Sequence, residues 1–554
     1  MRRFVRFAVL TIVLGALVAP VAGVAGPALS VDLTAPTHPI SPYIYGMNFA
    51  GATLGTELNL PLNRWGGNDT SRYDYTIDTS SKGMDYFFSN IPYRIEEGEE
   101  TRPLPAESSV NRYIEQNAAW GGDTIVTVPM MGWMPKDESY GCSFHIDIYP
   151  VQEEFEPWRD KCGNGKNPDG SYIVGNDPTD ASRAIDQTFV SNWVTYLVNR
   201  YGGAGAGGVK FYNLDNEPML WFDTHRDVFQ GTLGYDGLRD RTYLYGAAVK
   251  AADPNALTLG PAGYGWEEYF YSDLDRAVGC FQGDPCTDHI AHGSVGLAEW
   301  YLQQMAAYET NNGVRILDYL DEHFYPFFVA LNNDVSGGMP AQRLRATRFL
   351  WDPTYNQQPD NWYVGEPIQL IPRMKQWVAD NYPGTKTAIT EYNFGALNHI
   401  NGALTQADVL GIFGREGLDL ATLWSPPNLN QPGAFAFRMY LNYDGAGSDF
   451  GDTSVQAVSG DQSQLAIYAA TRSSDGALTL IVVNKTAVEQ STTITVTGFD
   501  ASPAVEVWQY SSANLAAVVQ QPDTLITSGV INHAFPAESV TMLVVSPPPA
   551  YRRT

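Results

Sequence analysis

Two glutamates in this chain stand where carboxyl groups do chemistry. Glu217 lies in Asn213-Leu-Asp-Asn-Glu-Pro218, directly after an apolar, strand-like run, and Glu391 lies in Ile389-Thr-Glu-Tyr-Asn393 at the end of another. Paired carboxyl groups suit cleavage of a glycosidic bond, whose alkoxide leaving group is poor and whose transition state is an electron-deficient oxocarbenium ion. One carboxyl, kept protonated by its surroundings, donates to the leaving oxygen, while the other, ionised, attacks or stabilises the anomeric carbon. A separation of about 5–5.5 Å gives a covalent intermediate and retention, and about 6.5–9.5 Å admits water and gives inversion. A single glutamate at a strand end is often only ion-paired or loop-anchoring, so the argument rests on the pair.

A parallel barrel would bring both glutamates to one face. From about Pro42 to Trp424, short apolar or β-branched runs alternate with segments of helical period, the pattern of βα units. The runs predict eight strands: Tyr43–Phe49, Leu62–Gly66, Thr124–Met130, Val209–Asn213, Leu257–Pro261, Leu317–His323, Thr387–Tyr392 and Leu420–Trp424. Eight such units suggest a closed (β/α)8 barrel, in which Glu217 after the fourth strand and Glu391 at the end of the seventh share the C-terminal mouth. Between strands, Ile185, Phe189, Val190, Trp193, Val194 and Leu197 make one apolar helical face before Gly202-Gly203. Thr405 and Asp408 read as an N-cap arrangement, with Gly417 at the other end of that helix.

After about Val455 the pattern becomes short alternating strands, with Leu465–Ala470 and Ala477–Val483 joined across Asp475-Gly476. Thr492–Thr497, Val505–Tyr510 and Val540–Val545 extend this to a small antiparallel sandwich. The expected class is therefore α/β, a TIM-like (β/α)8 barrel over residues 42–440 with a second, smaller all-β sandwich domain over 441–547 and a tail at 548–554.

The length of 554 residues exceeds what one core usually organises, and 44% hydrophobic with 17% charged residues is ordinary globular composition. Residues 1–25 read as a signal peptide: Arg2, Arg3 and Arg6, an apolar run from Ala8 to Val18, then small residues at Ala22–Ala25. That run falls short of the ~20 residues of a spanning helix, so a secreted, extracellular protein with no membrane association after leader removal is expected. Cys142, Cys162, Cys280 and Cys286 form two local pairs suited to disulfides and lack the spacing of a structural zinc site. A net charge of −27 argues against nucleic acid as a partner and suits a neutral substrate. Asp444, Asp449 and Asp452 offer oxygen atoms for calcium but lack the regular spacing of an EF-hand, and a solvated turn is the preferred reading. Two-carboxylate hydrolysis requires no cofactor, and a monomer is expected.

With these residues placed, the chain resembles glycoside hydrolase family 44, endoglucanases and xyloglucanases built from a TIM-like barrel and a β-sandwich. The resemblance rests on Ser41-Pro-Tyr-Ile-Tyr-Gly46, Arg64-Trp-Gly-Gly-Asn68, Leu214-Asp-Asn-Glu-Pro218, Leu350-Trp-Asp-Pro-Thr-Tyr355, Ala388-Ile-Thr-Glu-Tyr392 and Asn398-His-Ile400. Gln406-Ala-Asp-Val-Leu-Gly-Ile-Phe-Gly414, Asn442-Tyr-Asp-Gly445 and Phe450-Gly-Asp-Thr-Ser454 extend it, so that it runs from about residue 38 to about 545. It implies that Glu217 is the acid/base, that Glu391 is the nucleophile, and that configuration is retained. It also implies that residues 26–41 join the sandwich and that a structural calcium, with ligands the sequence does not name, is compatible with the fold. By strand-end position, Asn216 would bond the sugar 2-hydroxyl, Arg64 and Tyr325 would orient Glu391, Trp424 would form the floor, and His323 would line the site. Each has a plainer reading as a core or ion-paired residue. Trp65 and Trp221 are added as aromatic platforms for sugar C–H faces. The loops at Pro426-Pro427-Asn428 and Phe222-Asp223-Thr224-His225 depart from the family pattern where subsites are shaped. The expected function is a secreted retaining endo-β-1,4-glucanase whose partner is a β-1,4-linked polysaccharide, cellulose-type glucan or xyloglucan. Another retaining barrel glycosidase, such as a mannanase or xylanase, and a non-catalytic polysaccharide binder are the alternatives.

Overall fold

The computed structural model describes residues 24–159, 161–282, 284–356 and 366–548. The expected signal peptide therefore lies, up to residue 23, outside the described residues, as does the tail from 549. Eight parallel strands close a barrel in chain order: Gly46–Asn48, Leu62–Trp65, Asp123–Val128, Phe211–Leu214, Leu257–Gly263, Tyr319–Glu322, Lys386–Tyr392 and Leu420–Leu423. They stand where the eight predicted strands stand, with one correction. Pro42–Tyr45 is a 3-10 turn and not strand, because Pro42 sets a helical φ at its first position and the Ser41 hydroxyl accepts from Tyr43 N.

Period-two alternation sorts the barrel side chains into layers. Leu62, Ile125, Phe211, Leu259, Tyr319, Ala388 and Leu420 pack together as an apolar plug. Two residues further along their strands come Arg64, Asn213, Asp321, Thr390 and Thr422, all buried and all polar. Buried polar groups of this kind are tolerated only when bonded, and they are: Asp321 Oδ2 accepts from Asn213 Nδ2 at 2.6 Å and from Thr390 Oγ1 at 2.7 Å. The barrel thus has a dry base and a hydrogen-bonded upper layer directly beneath the mouth.

In the second region, Leu465–Thr471, Leu478–Asn484, Ser539–Val545 and Ala504–Ser511 pair antiparallel in that order. Thr453–Ser459 passes between the two faces, pairing first with Leu465–Thr471 and then with Leu29–Asp32, which also runs parallel to Gln490–Thr497. Leu465, Ile467, Leu480, Val482, Leu543 and Val545 fill the space between the sheets, whereas Ala466, Tyr468, Ile481, Val483, Met542 and Val544 join the barrel's core. Being covered on both faces, these strands read as continuous apolar runs.

The helix Ile400–Glu416 lies between barrel and sandwich and is buried from Ile400 to Gly414. Its start corrects the sequence expectation. His399 is the N-cap, accepting from Asn401 N, and Gly417 ends the helix at φ +66°. Thr405 and Asp408 are internal: Thr405 bonds back to Asn401 O at 2.8 Å, and Asp408 receives Thr347 Oγ1 at 2.6 Å and Tyr468 Oη and Lys485 Nζ at 2.7 Å each. Asp408 is a buried anchor for the neighbouring domain, and no local pattern separates that from a cap. The cysteines pair as Cys142–Cys162 and Cys280–Cys286. Asp444 closes a turn on Ala446 N and Ser448, and Asp452 bonds Thr453 and Ser473. Among the described residues no helix is long and apolar enough to cross a membrane.

Candidate active site

Arg64 organises the mouth. Its guanidinium is fully buried and lies against bare backbone at Gly66, where a Cβ would fall 2.3 Å from Arg64 Cζ, so no larger residue fits. Nη1 donates to Glu391 Oε1 at 2.8 Å and to Asn48 Oδ1 at 3.0 Å, while Nε and Nη2 donate to Asn213 Oδ1 and Asn216 Oδ1, each at 2.9 Å. Tyr325 Oη donates to Glu391 Oε2 at 2.8 Å.

Strict alternation would not bring Glu391 here. Ala388 and Thr390 face the barrel interior, so Glu391 should face the helices. The pairing of the seventh and eighth strands shifts register between Ile389 and Tyr392, and this irregularity turns Thr390 and Glu391 inward together. Tyr392 resumes the outward direction, its ring 5.1 Å from Phe413. Glu217 reaches the same point from a sharp loop. Asp215 and Glu217 both take left-handed backbone, at φ +68° and +44°. Asp215, pushed to about 6 by burial, accepts from Met130 N and Asn216 N, and Glu217 N donates to Ala262 O at 2.9 Å. Non-glycine residues in this region persist where surrounding bonds hold them.

His323 lies between the carboxyls, Nδ1 being 2.9 Å from Glu217 Oε1 and 3.6 Å from Glu391 Oε2. Its Nε2 is 3.2 Å from Thr390 Oγ1, whose own proton goes to Asp321. Nε2 is therefore assigned as the donor, leaving Nδ1 to share a proton with Glu217. The two glutamates are pushed in opposite directions. Burial, reinforced by the charge of Glu391, raises Glu217 above the ordinary carboxylate range. Burial also works against ionisation of Glu391, but the charges of His323 and Arg64 and the bonds from Arg64 and Tyr325 outweigh it and hold that carboxyl low. Burial likewise opposes a charged His323, yet the two carboxylates raise its pKa. One protonated and one ionised carboxyl in one site is the division of labour glycoside hydrolysis needs.

Glu217, His323 and Glu391 place ligand-type atoms within 4.8 Å of one another, the one such cluster among the described residues. A cation there would face the Arg64 guanidinium across Glu391, so the donor set fits proton transfer better than metal binding. Behind it, Glu268 and Glu322 converge on Gly263, where a Cβ would lie 2.3 Å from Glu322 Oε2 and 3.2 Å from Glu268 Oε1. Both oxygens are buried without a partner. Burial raises Glu268 to about 8 and Glu322 well above its usual range, so the folded chain keeps protons that the unfolded chain releases near pH 4.5. Stability is then lost as pH rises from about 4.5 to about 8. Glu268→Gln should show a Tm advantage over the parent that grows across this window; thermal unfolding at pH 5, 6.5 and 8 tests it, and a pH-independent difference would refute the buried-proton account.

The remaining sequence candidates divide. Asn216 is in the site through Arg64, and Trp424 is half-buried at the mouth, with Asn393 Nδ2 holding its carbonyl at 2.7 Å. Trp65 is corrected. With Arg64 inward, its neighbour must point outward, and Trp65 packs among Phe49, Tyr73 and Tyr113 with 7% exposure. Trp221 is also corrected: it is fully buried against Phe229 and offers no face to a sugar. Phe49 and Asn68 were not predicted. Phe49 is 40% exposed at φ +53°, edge-on to Trp424, and Asn68 Oδ1 accepts from Asn216 Nδ2 at 3.3 Å. Strand-end position after the first and second strands was the signal available for them. A cavity of about 270 Å³ beside Tyr325, lined by Tyr264, Trp266, Phe324 and Pro326, was likewise not foreseen, since the loops after the fifth and sixth strands build it together with Phe349 and Ile368.

An eight-stranded parallel barrel with two opposed carboxyls at its mouth and a β-sandwich alongside defines a barrel glycoside hydrolase. The family model of glycoside hydrolase family 44 matches residues 79–327. Endoglucanase A of Paenibacillus lautus is 31% identical over 524 residues, covering 91% of this chain and 70% of that one. A bifunctional glucanase-xylanase from a metagenome library is 39% identical with a TM-score of 0.90, over 94% of this chain and 99% of that one. A Paenibacillus polymyxa xyloglucanase of family 44, solved with xyloglucan, is 29% identical with a TM-score of 0.77, over 94% and 99%. The chain belongs to glycoside hydrolase family 44.

Proposed function

We propose that the protein is a secreted, retaining endo-β-1,4-glucanase acting on cellulose-type glucan, xyloglucan or both. The observation that carries this reading is the approach of Glu217 and Glu391, whose oxygens lie within 4.8 Å with His323 between them and whose pKa values are driven apart. Such closeness suits the short separation of retaining enzymes, about 5–5.5 Å, better than the about 6.5–9.5 Å of inverting ones. In the first step Glu391 attacks the anomeric carbon while Glu217 gives its proton to the leaving oxygen, which departs as an alcohol. A glycosyl ester on Glu391 results. Glu217, now a carboxylate, then takes a proton from water as the water oxygen displaces Glu391, and two inversions give a product of the original configuration. Arg64 and Tyr325 hold Glu391 ionised and aimed, and His323 Nδ1 lies between the carboxyls, 2.9 Å from Glu217 Oε1 and 3.6 Å from Glu391 Oε2, as they change state.

The substrate class draws support from the relatives, named as an endoglucanase, a glucanase-xylanase and a xyloglucanase. Two disulfides and the arginine-led apolar N-terminus favour export. The test is incubation with carboxymethyl-cellulose, xyloglucan, xylan and glucomannan, following viscosity and new reducing ends together, with proton NMR of the first anomer released. A fast viscosity drop with β-anomer appearing first is expected on a glucan or xyloglucan. An α-anomer first would refute retention, preference for xylan or mannan would select the alternative glycosidase, and inactivity on all four with retained binding would leave a polysaccharide binder.

Glu217→Gln should lower kcat/KM on polymer by about 10²–10⁴-fold, the usual worth of a positioned proton donor. The loss should be smaller on a dinitrophenyl cellobioside, whose leaving group needs no proton. Equal losses on both substrates would remove Glu217 from the acid role.

A further inference from the structure

The segment between the third barrel strand and the helix Gln187–Tyr201 carries an aromatic side chain that the catalytic site does not use. Trp158 is 80% exposed, yet it is braced. Its indole stacks on Tyr86 with centroids 6.1 Å apart and planes at 26°. Tyr86 Oη donates to Glu156 Oε1 at 2.8 Å, and buried Glu156 pairs with Arg159 Nη2 at 2.9 Å. The Arg159 guanidinium lies 4.1 Å over the Tyr140 ring, and Glu156 N donates to Cys162 O, beside the Cys142–Cys162 disulfide. A ring presented to solvent on such a support has little freedom left to lose on binding.

The same support is continuous with the cleft. Asn216, next to Glu217, donates to Asn68 Oδ1 at 3.3 Å, and Asn68 Nδ2 donates to Asp85 Oδ2 at 3.1 Å. Asp85 immediately precedes Tyr86 and lies close enough for the charge of Glu391 to bear on it. A surface therefore runs from the catalytic pair through Asn68 and Asp85 to Tyr86 and Trp158, with hydrogen-bonding groups first and a flat apolar face last. Hydroxyl edges and C–H faces of a pyranose chain match that order.

We propose that Trp158 is a distal stacking platform for β-1,4-linked glycan, holding a pyranose ring several units from the bond that is cut. The proposal rests on the β-glucanase reading above. Affinity electrophoresis in xyloglucan and hydroxyethylcellulose gels, with the Glu391→Gln protein as parent so that the ligand is not cut, measures it directly. Trp158→Ala should weaken Kd for the polymer about three- to tenfold, and Trp158→Phe, which keeps a stacking ring, by less. In the active protein, Trp158→Ala should lower the ratio of kcat/KM on polymer to that on an aryl cellobioside by a similar factor, through KM. Thermal unfolding verifies that each variant is folded. Equal retardation of the parent and Trp158→Ala proteins overturns the platform and leaves the β-glucanase reading standing, whereas no retardation of the parent in any β-glucan overturns both. A dimer that Trp158→Ala dissolves without changing retardation assigns the ring to a contact between copies and overturns the proposal.

Discussion

Glu391→Gln is expected to reduce turnover of soluble β-glucan on the order of 10⁴-fold or more, because a neutral amide of the same shape cannot form the glycosyl ester. The fold should survive. Arg64 keeps the Asn48, Asn213 and Asn216 amide oxygens as acceptors, and the glutamine Oε1 can replace the lost carboxylate oxygen at Nη1. Destabilisation should therefore fall below the about 3–5 kcal/mol typical when a buried ion pair loses one partner outright. A second consequence follows from the charge lost. Because Glu391 raises Glu217, Glu217 should titrate lower in the variant, visible by carboxyl NMR. The decisive measurement is kcat on xyloglucan and carboxymethyl-cellulose beside Tm, and residual turnover within tenfold of the parent, with an unchanged fold, would remove Glu391 from the nucleophile role.

Arg64→Met should cost both stability and activity, and the second loss should depend on pH. Methionine keeps an apolar stem but leaves Glu391 as a buried carboxylate without its cation and orphans the Asn48, Asn213 and Asn216 oxygens. Removing one partner of a buried pair costs about 3–5 kcal/mol. Glu391 is held low partly by Arg64; without it the carboxyl takes up a proton at higher pH and the nucleophile is lost. The acid limb of kcat/KM should accordingly move to higher pH, so the loss is greatest in mildly acidic buffer and partly recovered as pH rises. Arg64→Lys, which keeps a cation but not the fork, should restore part of the limb and little of the stability, since it cannot satisfy four acceptors at once. An acid limb that stays in place in Arg64→Met would show that Arg64 is only a packing residue.

The asymmetry between these residues and the tryptophans shows where sequence reasoning holds. Glu217 and Glu391 were legible because each ends a strand-like run, and parallel strands end at one mouth whatever the details of packing. The eight strands and the hairpin across Asp475-Gly476 were legible for the same reason, that periodicity and turn residues are local properties. Trp65 was misassigned although the sequence contained the answer, since a residue beside an inward arginine in a strand must face outward. Trp221 could not be judged locally, because whether a helical aromatic is core or cleft depends on what covers it, here Phe229.

The sequence by itself determined the barrel, the β-rich second region, the strand-end positions of Glu217 and Glu391 and the family, because these reside in period, strand order and long motifs. Only the tertiary structure decided that Glu391 faces the site, through a register shift against the eighth strand that no alternation pattern predicts. Only it placed Leu29–Asp32 beside Gln490–Thr497, made Asp408 an interdomain anchor in place of a cap, and set Trp158 on Tyr86. The physical reason is common to all four. Each depends on which surfaces meet across long stretches of chain, and burial and hydrogen-bond satisfaction at those meetings override what neighbouring residues prefer.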